Sequence, residues 1–268
     1  MYSKFNCKIS DDFYRKCLNE HYVAGKTIYE EFKKQSENCL KPFLLDNGHI
    51  DGSALKENWF SIKNADVFIS HSHNDLDKVK AFAGWLKNNF GLTAFIDSCA
   101  WGYCDDLIQL IDDRYCINSD GKTYNYKLRN YSTSHVHAML STALLEMIDR
   151  TECLIFFNTP QSICLSEELQ AISAGNKEKT LSPWIFQELS TAHTILPRKP
   201  ERYKEQLREN YARMDFKSAI EYLHVEYDVT AITNKMPLLN EKHLTQWQSQ
   251  HRRGDNALDE LYKIVSPN

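Results

Sequence analysis

Three short apolar runs constrain this chain most: ADVFIS at 65–70, TAFID at 93–97 and CLIFF at 153–157. Each is apolar on both of its faces and bounded by polar residues, the pattern of a strand covered on both sides, as in a parallel sheet. Between the first two, Leu76, Val79, Phe82, Ala83, Leu86 and Phe90 recur at helical spacing, and Gly91 follows as a helix-ending glycine. Strand, helix, strand in this order predicts an α/β fold with a doubly wound, flavodoxin-like parallel sheet. Such sheets bind ligands at the carboxyl ends of their strands. The residues to inspect are therefore those just after Ser70, Asp97 and Asn158.

The remaining chain divides around this frame. Residues 1–62 predict a helical N-terminal extension, with Phe13, Cys17, Leu18, Tyr22, Val23, Ile28, Tyr29 and Phe32 at helical spacing and turn chemistry at 46–52. The main domain is expected over 63–268. After a loop at 98–105, Leu107, Ile108, Leu110 and Ile111 suggest a helix. Periodicity is lost at 115–133, a Tyr-rich stretch read as an insertion. Ser134 is the expected cap of an amphipathic helix carrying Val136, Met139, Leu140, Ala143, Leu144, Met147 and Ile148. A second insertion is expected at 158–181, and Ser182-Pro183 has the serine cap and first-turn proline of a helix start. Farther on, 201–212 reads as helix, 222–228 as strand, and Ala257, Leu258, Leu261, Tyr262, Ile264 and Val265 as a closing helix.

Composition removes several classes. At 268 residues the chain has room for one large domain or a medium one with an appendage. With 32 basic against 36 acidic residues and a formal net charge of -4, it is not a strongly basic nucleic-acid binder. The N-terminus lacks the apolar core of a secretory signal, and no apolar run is long enough to cross a bilayer. Eight cysteines, with no Cys-x-x-Cys pair, fit reduced thiols and a cytoplasmic location. The nine glycines form neither a dinucleotide fingerprint nor a P-loop, which excludes a Rossmann dehydrogenase and a P-loop nucleotidase.

The first strand end reads Ser70-His71-Ser72-His73-Asn74-Asp75. Two imidazoles and a carboxylate at this spacing resemble the zinc motif of the metallo-β-lactamase fold, which would make the protein a zinc-dependent hydrolase. Against this, Leu76 stands where that motif has another histidine, and the preceding residues read as helix rather than as half of a β-sandwich. His135 and His137 form a second His-x-His, but two residues apart on a helix their rings point to different faces.

A second resemblance draws on more of the chain. DVFISHSH at 66–73 is similar to the first signature of the TIR (Toll/interleukin-1 receptor) domain family, and TAFIDSCAWG at 93–102 to that family's next strand and following loop. SPWIFQEL at 182–189 resembles the family's S-x-W-C-x-x-E-L, with Ile185 in place of the cysteine. The three boxes occur in family order and cover the chain from position 65 onward. The N-terminal extension and the two insertions depart from a minimal TIR domain. The long TIR-like proteins of bacterial anti-phage defence, such as the Thoeris type, look most similar.

The resemblance implies an enzyme that cleaves NAD between nicotinamide and ribose, with Glu188 as the catalytic carboxylate. NAD would be substrate rather than cofactor, and no metal is implied. The product would be ADP-ribose or a cyclic or conjugated relative serving antiviral defence signalling, read by a downstream effector, with self-association through TIR surfaces. The chemistry accommodates one carboxylate: the nicotinamide leaves from a cationic pyridinium as a neutral molecule and needs no general acid, so one anion can stabilise the oxocarbenium-like transition state. Ser70, His71, Asp97 and Trp101 are expected at the strand ends as substrate-binding residues. Trp184, one helical turn before Glu188, is expected to bind substrate as well. The alternative is a TIR scaffold that binds other TIR domains and has no activity.

Overall fold

The computed structural model describes residues 1–33, 41–47, 49–59, 65–163, 178–200 and 227–265. Its centre is a five-stranded parallel sheet flanked by helices, compatible with a doubly wound α/β fold. The strands are β1 (Ser3–Cys7), β2 (Val67–Ser70), β3 (Ala94–Ile96), β4 (Cys153–Phe157) and β7 (Leu238–Leu239), in the order β3-β2-β4-β1-β7. A separate antiparallel pair joins β5 (Lys179–Thr180) to β6 (Tyr227–Asp228). The chain moves from β2 outward to β3 and returns to the other side of β2 as β4, so the direction of winding reverses between β2 and β4.

Alternation along the strands sorts their side chains onto two faces. Phe5, Cys7, Val67, Ile69, Ala94, Ile96, Cys153, Ile155 and Phe157 share one core with α4 (Leu76–Phe90), α9 (Glu241–Ser249) and α10 (Asp255–Val265). There Trp247 stacks on Phe90 with ring centroids 3.9 Å apart. Phe68, Phe95, Leu154 and Phe156 share the opposite core with α3 (Gly52–Trp59), α5 (Ser98–Tyr115), α6 (Tyr126–Arg150) and α7 (Pro183–Thr194). The register pairs Val67 with Ala94, Phe68 with Phe95 and Ile69 with Ile96. Continued one step beyond the strands, it sets Ser70 beside Asp97 on the α7 side.

Local chemistry accounts for the element ends. α4 stops at Gly91, whose φ of +73° is left-handed backbone that suits glycine, and its N–H donates to the Lys87 carbonyl (2.9 Å). α7 starts as its sequence indicates, with the Ser182 hydroxyl accepting from Ile185 N–H and Pro183 in the first turn. α2 (Tyr22–Lys33) crosses α4 at two glycines: a Cβ on Gly25 would sit 1.6 Å from the Lys80 carbonyl oxygen, so no larger residue fits there.

Four sequence expectations change. The N-terminal segment is not wholly helical, because Ser3–Cys7 forms a strand between β4 and β7 in the main sheet. Its signal was weak: only Phe5 and Cys7 are apolar and they face one side, while Lys4 on the other side donates to the Ala192 carbonyl in the last turn of α7 (2.7 Å). The loop expected at 98–105 is helix, since the Asp97 side chain accepts from Ser98 N–H and starts α5 immediately. α6 begins eight residues before Ser134, capped by Asn125, so the last eight residues of the insertion expected at 115–133 are helix, behind a short bridge between Ile117 and Tyr124. Leu196, which helical spacing from Ile185, Leu189 and Ala192 predicts in one buried stripe, lies beyond α7 and is exposed. The helix expected at 201–212 and most of the strand expected at 222–228 lie outside the described residues, as does most of the second insertion.

Candidate functional site

Parity and register bring four of the singled-out residues together. Ser70 ends β2, His71 follows it, Asp97 follows β3, and α7 packs across this end of the sheet with Glu188 on its inner side. All four are buried, and Glu188 has no exposed surface. The Ser70 hydroxyl donates to Glu188 Oε2 at 2.6 Å. The Asp97 carboxyl is an electrostatic neighbour of Glu188. His71 Nδ1 lies 2.5 Å from Asp97 Oδ1, outside hydrogen-bond geometry, and neither ring nitrogen meets a hydrogen-bond partner.

Burial governs the charge of this cluster. It raises the Glu188 carboxyl well above the ordinary carboxylate range, and the neighbouring Asp97 charge raises it further, against the favourable Ser70 hydrogen bond. Burial also pushes the Asp97 carboxyl up to about 7, against hydrogen bonds from Glu188 and from the Ser98 and His71 backbone. It pushes His71 down to about 4, although the Glu188 and Asp75 charges favour the cation. At neutral pH the imidazole is neutral and supplies no counter-charge to the two carboxyls. Glu188 Oε1 is buried without a hydrogen-bond donor, which disfavours the ionised form further.

No family model, curated protein or solved structure matches this chain.

Trp184, one turn before Glu188, does not join the cluster. It helps line a cavity of about 380 Å³ with Cys104, Asp105, His137, Ser141, Pro183 and Gln187. Its ring meets His137 edge-on with centroids 5.3 Å apart, and Ser141 donates to Gln187 Oε1 at 3.1 Å. Sequence reasoning missed His137, Ser141 and Gln187 as pocket residues. One signal was available: His137 and Ser141 stand four apart on α6 and so share a face. Trp101 falls in α5, and its side chain lies outside the described residues.

The zinc reading finds no centre among the described residues, where no group of three or more His, Cys, Asp or Glu is placed to hold a metal ion. His71 is buried while His73 is exposed two residues on. His135 and His137 diverge as helical geometry requires, one ring against Tyr131 and the other against Trp184. Asn158, at the third strand end, is tied to Asn6 of β1 (2.9 Å) rather than to the Glu188 cluster. Among the described residues, no helix is long and apolar enough to cross a membrane.

Proposed function

We propose that this protein is a TIR-type enzyme that cleaves NAD between nicotinamide and ribose, with Glu188 as the catalytic carboxylate. The observation that carries this reading is the hydrogen bond of Ser70 to Glu188 at the carboxyl ends of β2 and β3, which joins the first and third signature boxes in one buried site. Ligand sites of doubly wound sheets lie at this end. Ser70 orients the Glu188 carboxyl, and in its ionised form, which the Ser70 hydrogen bond favours, Glu188 stabilises positive charge on the ribose as the nicotinamide departs. Trp184 and the adjoining cavity offer an aromatic wall and a volume in the range of small-molecule sites. Asp97 and His71 stand beside Glu188 in the buried cluster. The product is ADP-ribose or a cyclic or conjugated relative, used as a signal in antiviral defence in the cytoplasm.

One observation favours a second reading. Glu188 is sealed from solvent, so substrate reaches it only when the packing over it opens. A scaffold that binds further TIR domains would use the same carboxyl only to pin α7 to the sheet. Incubating the full chain with NAD over a wide range of protein concentration, and following nicotinamide by chromatography, separates the two. Release that rises with self-association supports the enzyme, and no release at any concentration leaves the scaffold.

A further inference from the structure

The Tyr-rich stretch has no part in the Glu188 site. Residues 112–131 form an arm made of the end of α5, a turn closed by the Ile117–Tyr124 bridge, and the start of α6. Its inside is firmly tied. Buried Asp112 accepts from Arg129 Nε (2.7 Å) and from the Ser132 hydroxyl, and Tyr124 donates to Asp113. Asp120 accepts from the Lys122 and Thr123 N–H groups (2.9 and 3.0 Å), and Gly121 takes the left-handed φ of +65° at this turn. Its outside is bare: none of residues 126–131 is buried, and Ser132 is the first buried residue of α6.

Rings and cations alternate on that bare surface. Tyr126 and Tyr131 are 78% and 68% exposed, and at about 100° per residue Lys127 falls between them around the helix. Arg114 lies over the Tyr115 ring (5.4 Å) and Arg129 over the Tyr124 ring (5.2 Å). The whole chain has a net charge of -4, yet residues 114–131 hold Arg114, Lys122, Lys127 and Arg129 against one acidic residue, Asp120, whose carboxylate is turned onto its own backbone. Arg114, Lys122 and Lys127 make no ion pair with any described residue. An acidic peptide would answer these cations and leave the rings unused. A nucleic-acid strand with unpaired bases answers both, its bases stacking on the rings and its phosphates meeting the cations, whereas a duplex keeps its base faces to itself. We propose that this arm binds single-stranded nucleic acid. The contacts go to base faces and phosphates, which DNA and RNA share, so the arm holds either without regard to sequence.

The test titrates the full chain into fluorescein-labelled oligothymidylate and oligouridylate of about 15 nucleotides and into a DNA duplex of the same length, with anisotropy read over a range of salt. Both single strands should bind with a Kd on the order of 10 μM, and the duplex at least about tenfold more weakly. Tyr126→Ala combined with Tyr131→Ala should weaken single-strand binding by at least about tenfold and leave its salt dependence unchanged. Both rings are exposed, so the melting temperature of this variant should match the parent's. Lys122→Gln combined with Lys127→Gln should instead flatten the plot of log K against log salt by about 0.7 for each lysine removed. A duplex bound as tightly as the single strands, or parent-like affinity in the tyrosine variant, overturns the proposal, because charge alone then does the binding. Absence of binding to either single strand at low salt overturns it as well. Displacement of the oligonucleotide by poly-glutamate of equal charge overturns it in favour of an acidic protein partner. None of these outcomes bears on NAD cleavage at Glu188.

Discussion

At the scale of residues, the decisive feature is two carboxyls and an imidazole buried together without a counter-ion. The folded chain holds protons on Asp97 and Glu188 that the unfolded chain releases in the ordinary carboxylate range. Their contribution to stability is therefore complete at low pH and is lost as pH rises through the folded values, about 7 for Asp97 and higher than ordinary for Glu188. His71 works in the opposite sense. Its folded value of about 4 lies below the usual 6.5, so stability gained from it rises between those values and is constant above them. Above pH ~6.5 the carboxyl pair therefore dominates the cluster's effect. The melting temperature of the parent should fall with pH more steeply than that of Glu188→Gln between neutral and mildly alkaline conditions, and parallel curves would show that no proton is held there. The sequence marked Ser70, His71, Asp97 and Glu188 separately. Their meeting depends on register and on the burial of α7, neither of which is written in a local pattern.

At the scale of elements, α7 is the part that carries Glu188 to the strand ends. Its start was legible because Ser182-Pro183 is a chemical instruction: the serine accepts the Ile185 N–H and the proline spends no hydrogen bond in the first turn. Ser182→Ala should lower stability by about 1 kcal/mol, measured by denaturant unfolding, with the loss confined to the start of α7 in hydrogen exchange. No measurable loss would mean that packing of Ile185, Leu189 and Ala192 alone holds this helix. The first strand shows the opposite case. β1 is short, carries Lys4 and Asn6 on one face, and gains its stability from pairing on both sides rather than from its own apolar content. Local reading cannot detect a strand whose reason for existing lies at residues 153–157 and 238–239.

At the scale of the whole molecule, β1 decides how the chain divides. A segment hydrogen-bonded between β4 and β7 is part of the central sheet and not an appendage to it. Removing residues 1–7 should therefore abolish cooperative unfolding or leave the protein insoluble, since β4 and β7 would each lose a partner strand and Phe5 its place in the core. A truncated chain that unfolds like the parent would show that the sheet closes without it. The alternation of strands and helices was readable from apolar runs and periodicity. The strand order was not, because it rests on pairings between distant segments. We propose that this sheet presents Glu188 as the carboxylate of an N-ribosidase, and the rate of nicotinamide release from NAD by the full chain, beside that of Glu188→Gln with both verified as folded by circular dichroism, tests it. A loss of about 100-fold or more is expected in the variant. Equal rates in the two proteins would contradict it.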